Sequence, residues 1–116
     1  MISVEKENRP WGRFFVIYSE PRFKIKKIEV NPGERLSYQY HEKRSEVWTI
    51  IEGKGFITLD GKTKTYKSGD TILIPKGKKH RVENKENKKL VFIEVQTGSY
   101  FGEDDIVRLE DDYNRI

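Results

Sequence analysis

The sequence predicts an all-β domain, a sandwich or barrel, on three observations. Short runs rich in β-branched and aromatic residues recur at nearly even spacing, turn residues bound each run, and no amphipathic helix of useful length precedes residue 100. The first expected strand covers residues 13–18 and the second 23–30, which Asn31-Pro32-Gly33 ends by supplying a fixed φ and then a permissive one. A short strand follows over residues 36–41, and another over 47–51, with Glu46 opening it. Residues 56–59 and Lys62-Thr63 flank Asp60-Gly61, a strong two-residue hairpin signal. Ser68-Gly69-Asp70 introduces a strand over 71–74, Pro75-Lys76-Gly77 turns the chain toward His80, and residues 90–95 form the last apolar run. The acidic stretch 102–113 suits either a short helix, with Glu103, Asp104 and Asp105 at its N-terminus, or an extension along a sheet edge.

With 116 residues the chain is expected to be one domain, because a second core would need roughly 50 residues of its own. Its core is placed at about 24–96, with an N-terminal arm over 1–23 and a C-terminal extension over 97–116. Apolar residues make up 34% of the chain and charged residues 36%, so the core must be thin and gathered around one interior. Outward-facing Tyr38 and Tyr40 make a homodimer the expected assembly. The net charge of +4 arises from 23 basic and 19 acidic residues that are interspersed, which argues against a nucleic-acid partner. No stretch approaches the roughly 20 apolar residues of a membrane span, and MISVEKENRP lacks the apolar centre of a signal peptide, so a cytoplasmic location without membrane contact is expected. The absence of cysteine excludes disulfides, thiolate metal sites and a cysteine nucleophile.

Two stretches carry the chemistry. The first runs from Gly33 through Gln39, His41 and Glu46 to Gly53; the second runs from Gly69 through Pro75, Gly77 and His80 to Asn84. Alternate side chains on a strand share a face, so Gln39 and His41 project together, and Glu46 shares its face with Trp48 and Ile50. A carboxylate on an apolar inward face needs compensation, and a bound divalent cation would supply it. Gln39, His41, Glu46 and His80 offer two imidazole nitrogens and two oxygens, a mixture that suits zinc, manganese, iron, cobalt or nickel better than calcium. A lone Gln-x-His on a strand is more often a satisfied polar pair, and the joint spacing of both stretches is what favours a metal.

These residues resemble the two signature motifs of the cupin superfamily, G-x5-H-x-H-x4-E-x6-G and G-x5-P-x-G-x2-H-x3-N, with Gln39 at the first histidine position. The resemblance implies a double-stranded β-helix, or jelly-roll barrel, followed by a short extension. Further stretches, Arg9-Pro10-Trp11-Gly12, Glu94-Val95-Gln96-Thr97-Gly98 and the run from Gly102 to Arg108, look like the type II mannose-6-phosphate isomerase domain. That family also carries Gln at the first ligand position and is best known fused behind a mannose-1-phosphate guanylyltransferase. No nucleotide-binding Gly-rich segment is present, so a guanylyltransferase is expected only as a separate partner. The family's usual L-S-L-Q-x-H-x-x-R-x-E-H-W reads here Leu36-Ser37-Tyr38-Gln39-Tyr40-His41 and Arg44-Ser45-Glu46-Val47-Trp48, with Val47 in place of a histidine. Alternation puts Val47 on the face opposite Glu46.

The resemblance implies interconversion of mannose 6-phosphate and fructose 6-phosphate by proton transfer through a metal-stabilised enediolate. Zinc is the first expectation for the ion. Glu46 and Arg81 are the expected catalytic residues, and Arg44, Lys76, Arg81 and Trp48 the expected substrate contacts, with Arg81 the favoured phosphate ligand because it follows His80. Each lysine of this rim is equally well explained as solvated surface charge. Arg9 and Trp11 would close the mouth or pack on a partner subunit. Two other functions compete on the same fold: a noncatalytic cupin that binds a sugar or nucleotide sugar, and a redox cupin such as an oxygenase.

Overall fold

The computed structural model describes residues 5–115, and eleven strands account for nearly all of its regular structure. They are β1 (Glu5–Arg9), β2 (Gly12–Ser19), β3 (Phe23–Val30), β4 (Tyr38–Tyr40), β5 (Arg44–Glu52), β6 (Lys54–Leu59), β7 (Lys62–Lys67), β8 (Thr71–Ile74), β9 (His80–Glu83), β10 (Leu90–Gly98) and β11 (Val107–Glu110). Every pairing is antiparallel. The strands build a six-stranded sheet in the order β1-β2-β3-β10-β5-β8 and a five-stranded sheet in the order β11-β4-β9-β6-β7.

The expected closed jelly-roll barrel is corrected by this topology. Among the described residues both sheets are open: β1 and β8 end one, and β11 and β7 end the other. Two of these edges are built to stay unpaired. β1 reads EKENR and β7 reads KTKTYK, and their charged, largely exposed side chains oppose continuation of the ladder. The result is a cupin-like pair of facing sheets.

Alternation on β5 sets the core. Arg44, Glu46, Trp48 and Ile50 are buried, while Ser45, Val47 and Thr49 between them are only partly so. Trp48 and Ile50 join Trp11, Phe14, Ile28, Val30, Ile57, Val82 and Phe92 in one apolar cluster between the sheets. Trp48 packs on the Phe92 ring with centroids 4.8 Å apart. Trp11 and Phe14, from the segment expected to be an arm, lie in this cluster because β2 pairs with β3 over most of its length. Tyr38 and Tyr40 are half-buried beside β11, whereas Leu73 and Tyr18 are the more exposed apolar side chains.

Polar groups complete the packing where apolar ones are few. Asn84 is fully buried; its amide donates to the carbonyls of Val30 and Lys88 at 3.0 and 2.8 Å, and its Oδ1 accepts from Glu86 N at 3.0 Å. This one side chain ties the β9–β10 loop to the end of β3. The stretch 102–113 takes the edge-strand alternative, because β11 finds open backbone groups along β4.

Candidate metal centre

His41, Glu46 and His80 converge on one buried point, each offering a ligand atom within 4.8 Å of the others. They come from three separate places in the chain. Glu46 is carried inward by β5, His41 follows β4, and His80 opens β9, whose register sets it opposite Gln39. The turn that delivers His80 depends on Gly77, which adopts φ +82 and donates its N–H to the His41 carbonyl at 2.8 Å. The second motif is thereby anchored directly to the first.

Hydrogen bonds fix which ring nitrogen faces the centre. His41 Nδ1 lies 2.8 Å from the Asp105 carbonyl, and His80 Nδ1 lies 2.9 Å from the Lys78 carbonyl. A carbonyl oxygen only accepts, so both Nδ1 atoms carry hydrogen, and in the neutral rings that bind a metal both Nε2 atoms present lone pairs inward. There they meet Glu46: His41 Nε2 is 3.2 Å from Oε2 and His80 Nε2 is 3.9 Å from Oε1. Three acceptors facing one another repel unless a cation sits among them. Tetrahedral ligands at zinc bond lengths lie about 3.4 Å apart, which these spacings bracket. Gln39 donates its Nε2 to Ser37 Oγ at 2.9 Å, leaving Oε1 as its atom available to a cation. The donor set and its pinned tautomers fit a divalent ion.

The surroundings tune this carboxylate strongly. Burial pushes the Glu46 carboxyl up, but when no ion is bound and the rings are protonated, the hydrogen bond from His41 and the charges of His41, His80 and Arg44 outweigh burial and hold it well below the usual carboxylate range. Burial also lowers the His80 pKa, which favours the neutral imidazole that a metal requires. Arg44 is 4% exposed; its Nε donates to Glu46 Oε2 at 2.9 Å, and Nη2 approaches His41 Nε2 at 3.4 Å. Trp48 Nε1 is shared between Glu46 Oε1 at 3.1 Å and Glu94 Oε2 at 3.0 Å.

Glu94 was not among the expected site residues, and it is a strongly perturbed acid beside the centre. Burial, and next the charge of Glu46, push its carboxyl up to about 8. The strand pairing explains the encounter, since β10 places Glu94 opposite Trp48 and Gln96 opposite Glu46. Asp105 is a second residue the motifs did not single out. Its carbonyl accepts from His41, while its carboxylate accepts from the backbone N–H groups of Glu42 and Lys43 at 3.1 and 2.9 Å. Both residues stand in the stretches that resemble the family, and the inward alternation of β10 was a further signal for Glu94.

The remaining expected residues separate. Arg44, Trp48 and Arg81 line the cavity that holds the centre, together with Arg9 and Trp11. Arg81 has its donors engaged, by Leu36 O at 2.8 Å, Glu110 Oε2 at 3.2 Å and Glu110 O at 3.3 Å. Lys76 is exposed and lies outside the cavity lining, with its backbone N–H bonded to Ser45 Oγ. Val47 faces away from the cavity, paired in register with Leu73 and Val95.

Comparison with known proteins agrees with this geometry. The family model described as "Mannose-6-phosphate isomerase C-terminal" matches residues 3–111. A mannose-1-phosphate guanylyltransferase of Klebsiella pneumoniae is 43% identical over 107 residues, covering 92% of this chain and 23% of that protein. The alginate biosynthesis protein AlgA of Pseudomonas aeruginosa is 45% identical over 107 residues, covering 92% of this chain and 22% of that protein. The chain thus spans less than a quarter of the length of these curated relatives. Among solved structures, the capsular polysaccharide assembling protein CapF of Staphylococcus aureus superposes with a TM-score of 0.79 at 24% identity, over 93% of this chain and 34% of that one. KdgF from Halomonas sp. superposes with a TM-score of 0.77 at 15% identity, over 86% and 89% of the two chains. These likenesses show the fold. No helix of the described residues is long and apolar enough to cross a membrane. Taken with the family match and the relatives above, the paired motifs and their convergent histidines show that the chain belongs to the mannose-6-phosphate isomerase C-terminal family.

Proposed function

We propose that the chain is a metal-dependent sugar-phosphate isomerase that interconverts mannose 6-phosphate and fructose 6-phosphate. The observation that carries this reading is the convergence of His41, Glu46 and His80 on one buried point inside a domain of this family. Those residues, with Gln39, would hold the ion, zinc first for two imidazoles and two oxygens, with manganese, cobalt, nickel or iron as alternatives. A divalent ion there supplies Lewis-acid polarisation of the sugar oxygens.

The chain's own residues do the rest. Arg44 and Trp48 hold the two oxygens of Glu46 in fixed directions. Trp11, Phe14, Ile28 and Val82 wall the cavity with apolar surface, which excludes water and leaves developing charge on the sugar less screened. Glu94 holds a proton at neutral pH beside Glu46, where isomerisation requires one to be lent and recovered. Arg81 braces β9 against β11, and this bracing is its part in the site. The outward direction of Val47 supports turnover over mere sugar binding, because replacing the family's usual histidine there removes nothing from the cavity.

Because a relative with 43% identity is a mannose-1-phosphate guanylyltransferase, a guanylyltransferase acts beside this domain as a linked or separate partner in carbohydrate synthesis. The homodimer belongs to the same proposal, and sedimentation at micromolar concentration tests it. The deciding experiment is a coupled assay of metal-replete protein with mannose 6-phosphate, run beside His41→Ala and His80→Ala with metal content recorded. Turnover lost in both variants is expected. Absence of turnover in the metal-loaded wild type overturns the isomerase reading in favour of a sugar-binding domain, and substrate-dependent oxygen uptake overturns it in favour of a redox one.

A further inference from the structure

We infer that Lys26 and Arg108, which line one cavity from the two different sheets, form a subsite for a phosphate monoester, with Arg9 beside them. The inference deepens the sugar-phosphate reading of the same cavity and rests on it. All three residues line the cavity that holds His41, Glu46 and His80.

Lys26 and Arg108 are short of partners, whereas Arg9 already donates to the Asn8 carbonyl and lies near Glu7. Lys26 is 4% exposed, and among the described residues its one ion pair is with Glu103 Oε2 at 3.7 Å, too long for a hydrogen bond. Arg108 Nε is buried with no hydrogen-bond partner among the described residues. Arg9 Nη2 reaches the other oxygen of Glu103 at 3.6 Å. A buried ammonium and an orphaned guanidinium N–H are costly features in a thin core, and an anion seated between them would relieve both. Glu103 is 42% exposed and serves as a loose carboxylate in that place. A phosphate dianion, with more charge and more acceptors, would displace it.

Placement agrees with the substrate's length. The Phe14 ring carries both Lys26 Nζ and Arg9 Cζ, at 4.3 and 4.9 Å from its centroid, so their charges share one corner of the cavity. Lys26 pairs across β3 and β10 with Glu94, which pairs with Trp48 on β5, the strand of Glu46. Two strand spacings separate the Lys26 backbone from β5, about 10 Å. A six-carbon chain with phosphate on its far end spans about 8 Å from the carbonyl carbon, at C–C bonds near 1.5 Å. Arg108 lies opposite Gln39 in the β11–β4 register and so shares its inward face. By contrast, Arg81 is engaged by Leu36 and Glu110, and Lys76 lies outside the cavity lining.

The test is calorimetric titration of the full chain with inorganic phosphate, in zinc-loaded protein and again after chelation, for wild type, Lys26→Met, Arg108→Gln and Glu103→Gln, with a thermal melt confirming that each is folded. Both cation variants are expected to weaken phosphate binding by about tenfold, and Glu103→Gln to tighten it severalfold, with zinc content unchanged. KM for mannose 6-phosphate should rise in the first two with a smaller change in kcat. Phosphate binding that depends only on zinc, or that falls only in Arg81→Gln or Lys76→Ala, overturns the subsite. Binding that responds to Lys26 and Arg108 in a protein without isomerase activity supports the subsite and overturns the isomerase reading alone. Because Glu103→Gln predicts a gain, a misfolded cation variant cannot mimic the expected pattern.

Discussion

Replacing Glu94 by Gln in the chelated protein isolates the proton that the buried acid holds. Its carboxyl rises from 4.5 to about 8, by burial and then by the charge of Glu46. A group raised in this way is protonated in the folded state and ionised in the unfolded chain across the intervening window. Its stabilising contribution is therefore fully present below 4.5 and is lost as pH rises through about 8. His80 runs the other way: burial lowers its pKa from 6.5, so its contribution is present above 6.5 and lost as pH falls through the lowered value. The window from 6.5 to about 8 thus isolates Glu94. One proton there changes stability by about 1.4 kcal/mol per pH unit, a loss on the order of 2 kcal/mol across the window. Trp11 and Trp48 are both buried in the core, so urea unfolding at pH 6.5 and pH 9 is read by their fluorescence. The wild type should lose about 2 kcal/mol between the two conditions, while Glu94→Gln, which cannot ionise, should change by less than about 0.5 kcal/mol. Equal pH slopes in the two proteins would refute the assignment of a neutral Glu94.

Four further outcomes are expected. Asp105→Ala removes the carboxylate that holds the Glu42 and Lys43 N–H groups, so the segment whose carbonyl accepts from the His41 ring loses its anchor, and zinc affinity should weaken by about 10- to 100-fold in chelator competition while the fold persists. Asn84→Ala strands the Val30 and Lys88 carbonyls and the Glu86 N–H, and should lower unfolding free energy by about 2–4 kcal/mol in urea. Gly98 leaves no room for a side chain, since a Cβ there would overlap the Lys43 carbonyl; Gly98→Ala should lower Tm and loosen the loop beside Arg44. Val47→His should leave zinc content and kcat within about twofold, because that position points away from the cavity; a gain of activity beyond that would show the missing histidine to matter.

Local pattern made much of the molecule legible. Alternation along β5 was enough to send Glu46, Trp48 and Ile50 inward and Val47 outward, because a strand's side chains must alternate whatever surrounds it. Turn chemistry located the reversals at Asn31-Pro32-Gly33, Asp60-Gly61 and Pro75-Lys76-Gly77, since few residues tolerate the backbone angles required there. The joint spacing of the two motifs nominated Gln39, His41, Glu46 and His80, and of these His41, Glu46 and His80 converge on one point. Closure of the sheets was not legible, because it depends on whether edge strands find partners, and β1 and β7 present charged faces instead. The tautomers of His41 and His80 required the carbonyls of Asp105 and Lys78, the first of them 64 residues away in sequence. The neutral Glu94 and the shared cavity of Lys26 and Arg108 required strands distant in the chain to lie side by side or across the cavity. A side chain's direction is a property of its own strand and can be read from sequence, whereas its charge state and its missing partners belong to the neighbours that folding brings to it.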